Sequence, residues 1–570
     1  MFSKGFFTYI LIVSFVLNSS EALSQRRAKE SDKTEIAVPL MTSPKLVVGI
    51  VVDQMRYDYL TRFWNHYGDD GFKRLVNEGF NCKNNHFNYA PTSTGPGHAS
   101  VYTGATPAAH GIIGNNWYDK EIDKLVYCAS DDSYETVGVI SEADETVGMI
   151  SEAGKMSPHR MTVTTITDQL RLHTQMKGKV IAVALKDRGA VIPGGHTANA
   201  AYWFLGGGEG KWISSTYYME SLPKWVVDFN SSNVVQKYKK PWNTIEDITT
   251  YVESSPDNNS YEGLYSGESA PVFPHDLPGL WDKNSQYELL KVSPFGNSIT
   301  TDFALEALKG EQLGTDDITD FLAISFSSTD YVGHWFGVNS KEIQDTYIRL
   351  DRDLERLFKY LDTKVGKGEY TVFLTADHGA INVPAYLNDQ KIPAGYLNRS
   401  EMQAKLAEFI KYKYGSAELI KNYSNNQLFL DHMVIQNLDL SLKEVQETLA
   451  DELLSSSDMA KVYTAYQMRN NEYTSGIPYI IQNGYNMKRS GDVLMVPKPG
   501  SIDYSKTGST HGSAQIYDTH TPLLFYGKGI KPGSTLVRTE IPDIAPTIAT
   551  LLGIAFPNGT TGKPITAVLE

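Results

Sequence analysis

Cysteine is nearly absent from this chain of 570 residues, which contains only Cys82 and Cys128. Neither belongs to a Cys-x-x-Cys spacing, and this argues against a zinc site built from thiolates. In an oxidising compartment a single pair of cysteines is readily joined, so we predict a Cys82–Cys128 disulfide. Two buried free thiols are the alternative.

Long apolar runs are also scarce. The N-terminus carries Lys4, an apolar run at 6–17 and small residues before Gln25, a pattern too short to span a bilayer and typical of a cleaved secretory signal. We therefore predict a signal peptide at 1–24, a polar leader at 25–44 and export to the periplasm or medium. An uncleaved membrane anchor is the alternative. No later stretch reaches the ~18 continuous apolar residues of a spanning helix.

Basic residues are in the minority, with 52 Lys and Arg against 66 Asp and Glu and a formal net charge of -14. So acidic a chain is poorly suited to nucleic acid or to an anionic membrane surface, and we expect neither as a partner. An anionic substrate would need a local cluster of positive charge. The sequence does not indicate an oligomeric state.

Several apolar, β-branched runs have the pattern of strands buried on both faces of a parallel sheet. Apolar residues between Glu342 and Leu361 recur every three to four positions and predict a helix joining two of these strands as a βαβ unit. The fold class is therefore α/β, with a mostly parallel sheet flanked by helices. The predicted strands lie at 45–52, 180–185, 321–326, 370–374 and 521–527, and a closing helix at 541–552.

Two middle stretches, about 195–300 and 385–490, have weaker periodicity and clusters of Asn, Ser, Tyr and Gly. We interpret them as insertions that cap the core and shape the pocket. Residues 135–144 are repeated almost unchanged at 145–154. Two short copies are too few for a solenoid, so we interpret the repeat as a local surface insertion.

Three predicted strands end in a carboxylate. Asp53 follows the first strand, Asp330 follows the strand at 321–326, and Asp377 follows the strand at 370–374. In open α/β sheets the ligand crevice lies at the carboxyl ends of the strands, so these acids should converge there. Taken singly, each could instead cap a helix or a turn.

Histidines accompany these acids in the sequence. His334 and His378 lie close to two of the aspartates, and His511 lies in a late loop. A mixture of carboxylate and imidazole ligands suits zinc better than magnesium, and six such residues are enough for two sites. His520 lies at the start of the predicted strand at 521–527, away from the crevice, and we predict that it has a structural role or supports a metal ligand without binding the metal itself.

Thr94 precedes the turn Gly95-Pro96-Gly97 at the start of a predicted helix. A hydroxyl in this position lies where backbone N–H groups and the helix dipole can stabilise negative charge. Thr94 is therefore a candidate nucleophile. The alternative is that it is an ordinary helix cap.

Taken together, these motifs resemble the alkaline phosphatase superfamily over essentially the whole mature chain. The closest resemblance is to the PafA-type, phosphate-irrepressible alkaline phosphatases, and the next is to nucleotide pyrophosphatases/phosphodiesterases. The motifs are, in chain order, Val52-Asp53-Gln54-Met55-Arg56, Thr94-Gly-Pro-Gly-His98, Gly114 to Tyr118, Lys186-Asp187-Arg188, Asp330-x-x-x-His334, Ala376-Asp377-His378-Gly379 and His511-Gly512.

The resemblance implies a three-layer catalytic domain over 45–570 that binds two zinc ions. The ligands would be Asp330, His334 and His511 for one ion, and Asp53, Asp377, His378 and Thr94 for the other. Two zinc ions and three aspartates sum to about +1, which attracts a phosphate dianion on an otherwise acidic protein. Thr94 would be the nucleophile that is transiently phosphorylated.

The resemblance also assigns Asn115, Lys186 and Arg188 to the non-bridging oxygens of the substrate. We expect Lys186 and Arg188 to lie two apart on an extended segment and to point the same way. Charged groups on those oxygens favour phosphate monoesters, so we predict an alkaline phosphatase, with a phosphodiesterase as the alternative. A sulfatase is disfavoured because Cys82 lacks the Cys-x-Pro-x-Arg setting. The full set of site residues argues against a non-catalytic binding protein.

Overall fold

The structure is a computed structural model that describes residues 43–139, 152–416, 418–455 and 458–570. The predicted signal peptide, nearly all of the predicted leader and the middle of the tandem repeat lie outside the described residues. Within these ranges, no helix is both long and apolar enough to cross a membrane.

A sheet of ten strands forms the centre of the described chain. Its middle five strands, from Tyr370–Thr375 across to Ala200–Leu205, are parallel to one another. In spatial order the strands are Gly533–Thr535, Phe80–Cys82, Leu523–Gly527, Tyr370–Thr375, Leu46–Val52, Asp320–Phe326, Val180–Ala184, Ala200–Leu205, Lys211–Ser215 and Thr136–Val137.

The central strand Leu46–Val52 explains why helices cover both faces of this sheet. All seven of its residues are buried. Because side chains alternate along a strand, Val48 and Ile50 enter one hydrophobic core, whereas Val47 and Val51 enter another on the opposite face. A sheet with two apolar faces needs a helical layer on each, so the fold has three layers.

Four helices show how the two faces of the large sheet are covered. Phe295–Gly310 and Lys341–Leu361 pack on the face that receives Ile50, and Thr94–Thr103 and Ile544–Leu552 pack on the other. The remaining helices of eight or more residues are Ile166–His173, Asp187–Gly194, Lys224–Ser231, Ser328–Phe336, Arg399–Tyr414, Leu442–Ser455 and Gly476–Gly484. Shorter α-helices are Tyr59–Arg62, Phe72–Glu78, Pro107–His110, Leu277–Leu280, Glu288–Lys291, Pro384–Asp389, His432–Asn437, Ala465–Asn470 and Ile516–Thr519.

A second sheet of four antiparallel strands has a hydrophobic core of its own. Leu428 and Val493 from this sheet pack against Leu406 and Leu449 from two neighbouring helices. The strands are, in order, Ile420–Ser424, Gln427–Leu430, Val493–Pro497 and Met459–Thr464. Three two-stranded pairs complete the described sheets: Gly395–Tyr396 with Ser501–Ile502, Asn85–His86 with Thr539–Glu540, and Asn116–Asp119 with Lys124–Tyr127.

The two cysteines are both free and buried, so the predicted disulfide is wrong. They contact different segments: Cys82 lies beside Thr539, and the sulfur of Cys128 lies beside the backbone of Gly95. Burial raises the pKa of both thiols to about 12, which keeps them protonated at neutral pH.

Candidate active site

The carboxyl ends of three adjacent parallel strands bring the three predicted acids together. Asp53 directly follows Leu46–Val52, Asp377 lies two residues beyond Tyr370–Thr375, and Asp330 lies in the first turn of the helix that follows Asp320–Phe326. All three aspartates are buried. The convergence predicted from the strand order is therefore present in the fold.

Asp53, Asp377 and His378 form a completely buried ligand group, with one potential ligand atom from each lying within 4.8 Å of the others. His378 Nε2 is 3.4 Å from Asp53 Oδ1 and 3.6 Å from Asp377 Oδ2. None of these three atoms has a hydrogen-bond partner among the described residues. Buried polar atoms that face one another without hydrogen bonds fit the coordination of a cation.

Asp330, His334 and His511 form a second group that meets the same distance limit. His334 Nε2 is 3.1 Å from Asp330 Oδ1, and His511 Nε2 is 3.7 Å from the same oxygen. The ring of His511 stacks on that of His378, with centroids 3.4 Å apart. The two groups are therefore adjacent.

Backbone carbonyls fix the orientation of all three histidine rings. Each ring uses Nδ1 for this bond, and because a carbonyl oxygen only accepts, Nδ1 carries the hydrogen. Nε2 is then left with its lone pair directed at the carboxylates, as in metal-binding histidines. The acceptors are the carbonyls of Gly379 for His378, Ser509 for His334 and Thr92 for His511, at 2.9, 2.7 and 2.7 Å.

The two groups differ in their electrostatics. Burial and the neighbouring charge of Asp53 raise the pKa of Asp377 well above its usual range. Burial alone would also raise the pKa of Asp330, but His334 and Lys186 hold it well below its usual range. The buried group therefore has the stronger need for a compensating positive charge.

Lys186 lies between the two groups. Its Nζ donates to Asp53 Oδ2 at 2.6 Å and to Asp330 Oδ2 at 2.5 Å, and its side chain is only 2% exposed. Burial alone would lower the pKa of Lys186, but these two carboxylates raise it, so the ammonium stays charged. A fixed positive charge thus lies at the boundary of both groups.

Arg188 approaches the candidate nucleophile. Its Nη2 is 3.5 Å from Thr94 Oγ1, and its Nη1 donates to the Tyr127 hydroxyl at 3.1 Å. Tyr127 in turn donates to Asp187. The expectation of an extended segment is wrong, because Lys186 is the last extended residue and Arg188 lies in the first turn of Asp187–Gly194. The two cations reach the site by different routes.

Thr94 opens a helix whose ten residues are all buried. The N–H of Gly95 donates to Asn115 Oδ1 at 2.7 Å, so this amide orients Asn115 and is not free to bind an oxyanion. His98 Nδ1 donates to the Thr94 carbonyl at 2.8 Å, and burial lowers the pKa of His98 to about 4, so the ring is neutral. The candidate nucleophile Thr94 is therefore fixed through its own carbonyl, and the next residue, Gly95, orients Asn115.

Gln54 is a site residue to which sequence reasoning assigned no role. Its Nε2 donates to Asp330 Oδ1 at 2.6 Å and its backbone N–H donates to Asp377 Oδ1 at 3.1 Å, so one residue contacts both groups. It has φ of 64°, rare for a residue other than glycine. A Cβ on Gly333 would lie 1.9 Å from Gln54 Oε1. The only sequence signal for a role of Gln54 was its position directly after Asp53 in the motif.

His520 lies outside both ligand groups. Its Nε2 bonds the Lys83 carbonyl at 3.0 Å, and its ring stacks on those of Tyr57 and His86. The reason given for its structural role was wrong, however. Leu523–Gly527 runs antiparallel to Tyr370–Thr375, so its first residue lies at the crevice end of the sheet.

Known proteins resemble this chain in sequence and in fold. The sequence profile of the family described as Type I phosphodiesterase / nucleotide pyrophosphatase matches residues 47–521. The chain is 47% identical to a Myroides odoratus protein named calcium-transporting ATPase, over 94% of this chain and 96% of that one. It is 45% identical to alkaline phosphatase PafA of Elizabethkingia meningoseptica, over 92% and 94% of the two chains. A crystal structure of wild-type alkaline phosphatase PafA superposes with a TM-score of 0.88 at 44% identity, covering 94% of this chain and all of that one.

Proposed function

Because the chain belongs to the type I phosphodiesterase/nucleotide pyrophosphatase family, we propose that it is a zinc-dependent alkaline phosphatase with a phosphothreonine intermediate on Thr94. The observation that carries this proposal is the position of Thr94. Its hydroxyl lies 3.5 Å from Arg188, at the end of the sheet where both ligand groups converge. One phosphoryl group could therefore contact the Thr94 hydroxyl, the Arg188 guanidinium and the metal ligands' site at the same time.

Two zinc ions fit the donor atoms. Asp330, His334 and His511 would hold one, and Asp53, Asp377 and His378, completed by Thr94 Oγ1, would hold the other. Carboxylate oxygen and imidazole nitrogen are common zinc ligands, and the unbonded Nε2 and Oδ atoms of the buried group suit a cation. When bound, the ions supply positive charge that favours an ionised threonine and offsets charge on the phosphoryl group.

The proposed reaction consists of two displacements at phosphorus. Thr94 Oγ1 attacks phosphorus and loses its proton to solvent, while the ester P–O bond breaks and the leaving group takes a proton from water. Water then attacks the phosphothreonine, releasing inorganic phosphate and restoring the hydroxyl. Arg188, Lys186 and the Asn115 amide orient the non-bridging oxygens in both steps.

The two cations favour monoesters over the alternative, diesters. A monoester presents a dianionic phosphoryl group. In a diester one of those oxygens carries a second organic group and no charge, so Lys186 and Arg188 bind it less strongly. We therefore expect kcat/KM of the purified enzyme to be higher for a monoester than for a diester with the same leaving group. A preference for the diester would assign the phosphodiesterase function instead.

The covalent intermediate has its own test. We expect rapid acid quenching during turnover to leave phosphate on the peptide that contains Thr94, as seen by mass spectrometry. A Thr94→Ala variant should lose both the modification and the activity, whereas Thr92→Ala, in the same loop, should still become phosphorylated. Phosphate on another residue would refute the assignment of the nucleophile.

Export is the proposed location. It is supported by the signal-like pattern at 1–24. Fractionation of expressing cells, with N-terminal sequencing of the mature protein, would test it. Retention of the full-length chain in the cytoplasm would contradict it.

A further inference from the structure

A cluster of four carboxylates shares no residue with the two ligand groups of the active site. One of them lies in the first turn of the helix Lys341–Leu361, and the other three come from the stretch predicted as an insertion. Burial of a carboxylate is costly unless the group is paired or neutralised. The partners of each oxygen therefore show what the cluster requires. The members are Asp257, Glu262, Glu268 and Glu342, together with His275.

Two carboxylate oxygens of the cluster have no partner. Glu342 is 0% exposed and Glu262 is 5% exposed. Glu262 Oε1 accepts from Asn259 Nδ2 at 2.5 Å, and Glu342 Oε1 accepts from His275 Nε2 at 3.2 Å. The other oxygen of each glutamate, Oε2, is buried and has no hydrogen-bond partner among the described residues. Unpaired carboxylate oxygens inside a protein fit the coordination of a cation.

His275 neutralises part of the negative charge. Its Nδ1 lies 2.7 Å from Glu268 Oε1, and its Nε2 lies 3.2 Å from Glu342 Oε1. Burial alone would lower the pKa of His275, but hydrogen bonds to these two glutamates raise it to about 9, so the ring is charged at neutral pH. Both ring nitrogens therefore donate, and neither is available as a metal ligand.

The charges of the cluster do not balance. Lys341, whose Nζ donates to the Tyr251 carbonyl at 2.7 Å, adds a second positive charge that acts on Glu262. One imidazolium and one ammonium thus face four carboxylates, and about two negative charges remain. Burial and the charge of Glu342 raise the pKa of Glu262 to about 10. Glu262 therefore needs either a proton or a neighbouring cation, and a divalent ion would balance the whole cluster.

The donor atoms favour a cation that binds oxygen. The free ligand atoms are carboxylate oxygens, whereas the imidazole that zinc would prefer is already bonded on both sides. Asp257, Glu262 and Glu342 do not offer three ligand atoms within 4.8 Å of one another, as the two groups of the active site do. An ion here would complete its coordination with water or backbone carbonyls. Ca²⁺ and Mg²⁺ are commonly bound in this way.

The cluster is attached to the second ligand group of the active site through the backbone. Both chain neighbours of Glu262 take part: the Tyr261 carbonyl accepts from the Gly508 N–H at 2.8 Å, and the Gly263 N–H donates to the Trp335 carbonyl at 2.9 Å. Trp335 directly follows a histidine ligand of that group. Gly508 directly precedes the residue whose carbonyl orients the same histidine ring. A fixed Glu262 would therefore hold two segments that support this ligand.

We propose that Glu262 and Glu342 bind a divalent cation that prefers oxygen ligands, Ca²⁺ or Mg²⁺, and that this ion fastens the backbone beside the second ligand group. The ion joins a loop of the inserted stretch to the first turn of a core helix. Its role is structural, and it does not rest on the proposed phosphatase reaction.

Binding of the two ions tests the site directly. The full-length enzyme would be loaded with zinc, dialysed against metal-free buffer and titrated with Ca²⁺ or Mg²⁺ in separate arms. We expect one ion per chain in addition to zinc by equilibrium dialysis, and a Tm at saturation that is higher by at least about 2 °C. The arm with the tighter binding identifies the ion. Absence of binding in both arms would overturn the proposal and assign a proton to Glu262 instead.

A conservative variant locates the ion. Glu262→Gln keeps an oxygen for the bond from Asn259 but removes the charge, so it should lose the bound ion and the rise in Tm. In metal-free buffer it should be at least as stable as the wild type, because an uncompensated buried charge is gone. The matched control is Glu253→Gln, since Glu253 also pairs with a histidine, His66. It should bind the ion normally. Unchanged binding by Glu262→Gln would overturn the proposal.

Amide hydrogen exchange tests the fastening role. Saturation with the ion should slow exchange of the N–H groups of Gly263 and Gly508 by about tenfold in the wild type, because their hydrogen bonds hold the segment that contains Glu262. No such change is expected in Glu262→Gln. An ion that binds to the wild type without slowing exchange at these two amides would overturn the fastening role.

Discussion

The two ligand groups use similar side chains but lie in different surroundings. The side chains of Asp53, Asp377 and His378 are 0% exposed, whereas that of His334 is 25% exposed and that of His511 is 10% exposed. The first group is built from strand ends inside the core. The second draws on a helix and a late loop near the surface. We infer that an ion in the buried group would be held as part of the fold and that an ion in the outer group would exchange more readily.

The largest expected effect comes from removing a ligand of the buried group. Asp377→Ala should lower kcat/KM by more than about 10⁴-fold, because loss of an ion removes several kcal/mol of transition-state stabilisation. The bound zinc should fall below two per chain by plasma mass spectrometry. His334→Ala, in the outer group, should retain the zinc of the buried group. Full zinc occupancy with near-normal turnover in Asp377→Ala would refute the two-group assignment.

The next effect concerns the cations that adjoin these groups. Removing both Lys186 and Arg188 as alanines should reduce monoester kcat/KM by about 10³-fold or more, because each charged contact in a preorganised site contributes ~2–4 kcal/mol. Diester hydrolysis should fall much less. Steady-state kinetics on a monoester and a diester with one leaving group would measure both. An equal loss for the two substrates would show that these cations do not set the preference.

A smaller effect is expected at Gln54, which contacts both groups. Gln54→Gly keeps the backbone N–H and tolerates φ of 64°, so it removes only the side-chain bond to Asp330. Zinc affinity of the outer group should fall about 10–100-fold, the usual effect of losing a hydrogen bond to a ligand. Competition with a chelator measures this. Gln54→Asn, which also tolerates positive φ, is the matched control for partial rescue. An equal loss of zinc affinity in both groups would show that the Gln54 side chain does not act on the outer group alone.

The smallest effect is kinetic. In the wild-type protein a chelator should remove the zinc of the outer group about tenfold faster than that of the buried group. This ratio corresponds to a free energy of local opening that is about 1.4 kcal/mol lower for the outer group. Release would be followed with a coloured zinc indicator. His334→Ala should abolish the fast phase. A single phase that removes both ions would show that the two groups open together.

Much of the fold could be predicted because its signals are local. The strand Leu46–Val52 and the helix Lys341–Leu361 lie within one residue of their predicted starts, and the resemblance to alkaline phosphatases is confirmed by the relatives and the matching structure. The prediction of an enzyme of the alkaline phosphatase group is confirmed by the same relatives. The predicted elements rest on hydrophobic periodicity and the predicted enzyme class rests on the order of the motifs, and both can be read from the sequence alone.

Features that depend on distant segments were not predictable. The direction of Leu523–Gly527 is set by its partner strand, and composition does not encode it. Two strands of the large sheet, Ala200–Leu205 and Lys211–Ser215, lie within the range predicted as an insertion. The cysteine count suggested a disulfide, but bonding depends on where Cys82 and Cys128 lie in space. The role of Gln54 likewise needs coordinates, since φ is invisible in sequence.

The helix Thr94–Thr103 is buried along its whole length, so the candidate nucleophile Thr94 belongs to an element of the core. Val101 and Tyr102, on the same helix, pack in that core, and the Tyr102 hydroxyl donates to the Gly49 carbonyl in the central strand. A change of side-chain volume there would shift Thr94 as well as the packing. Laboratory evolution for heat resistance would therefore alter turnover whenever it repacks this helix. The second sheet has a core of its own, so substitutions in that core do not act directly on the packing of this helix.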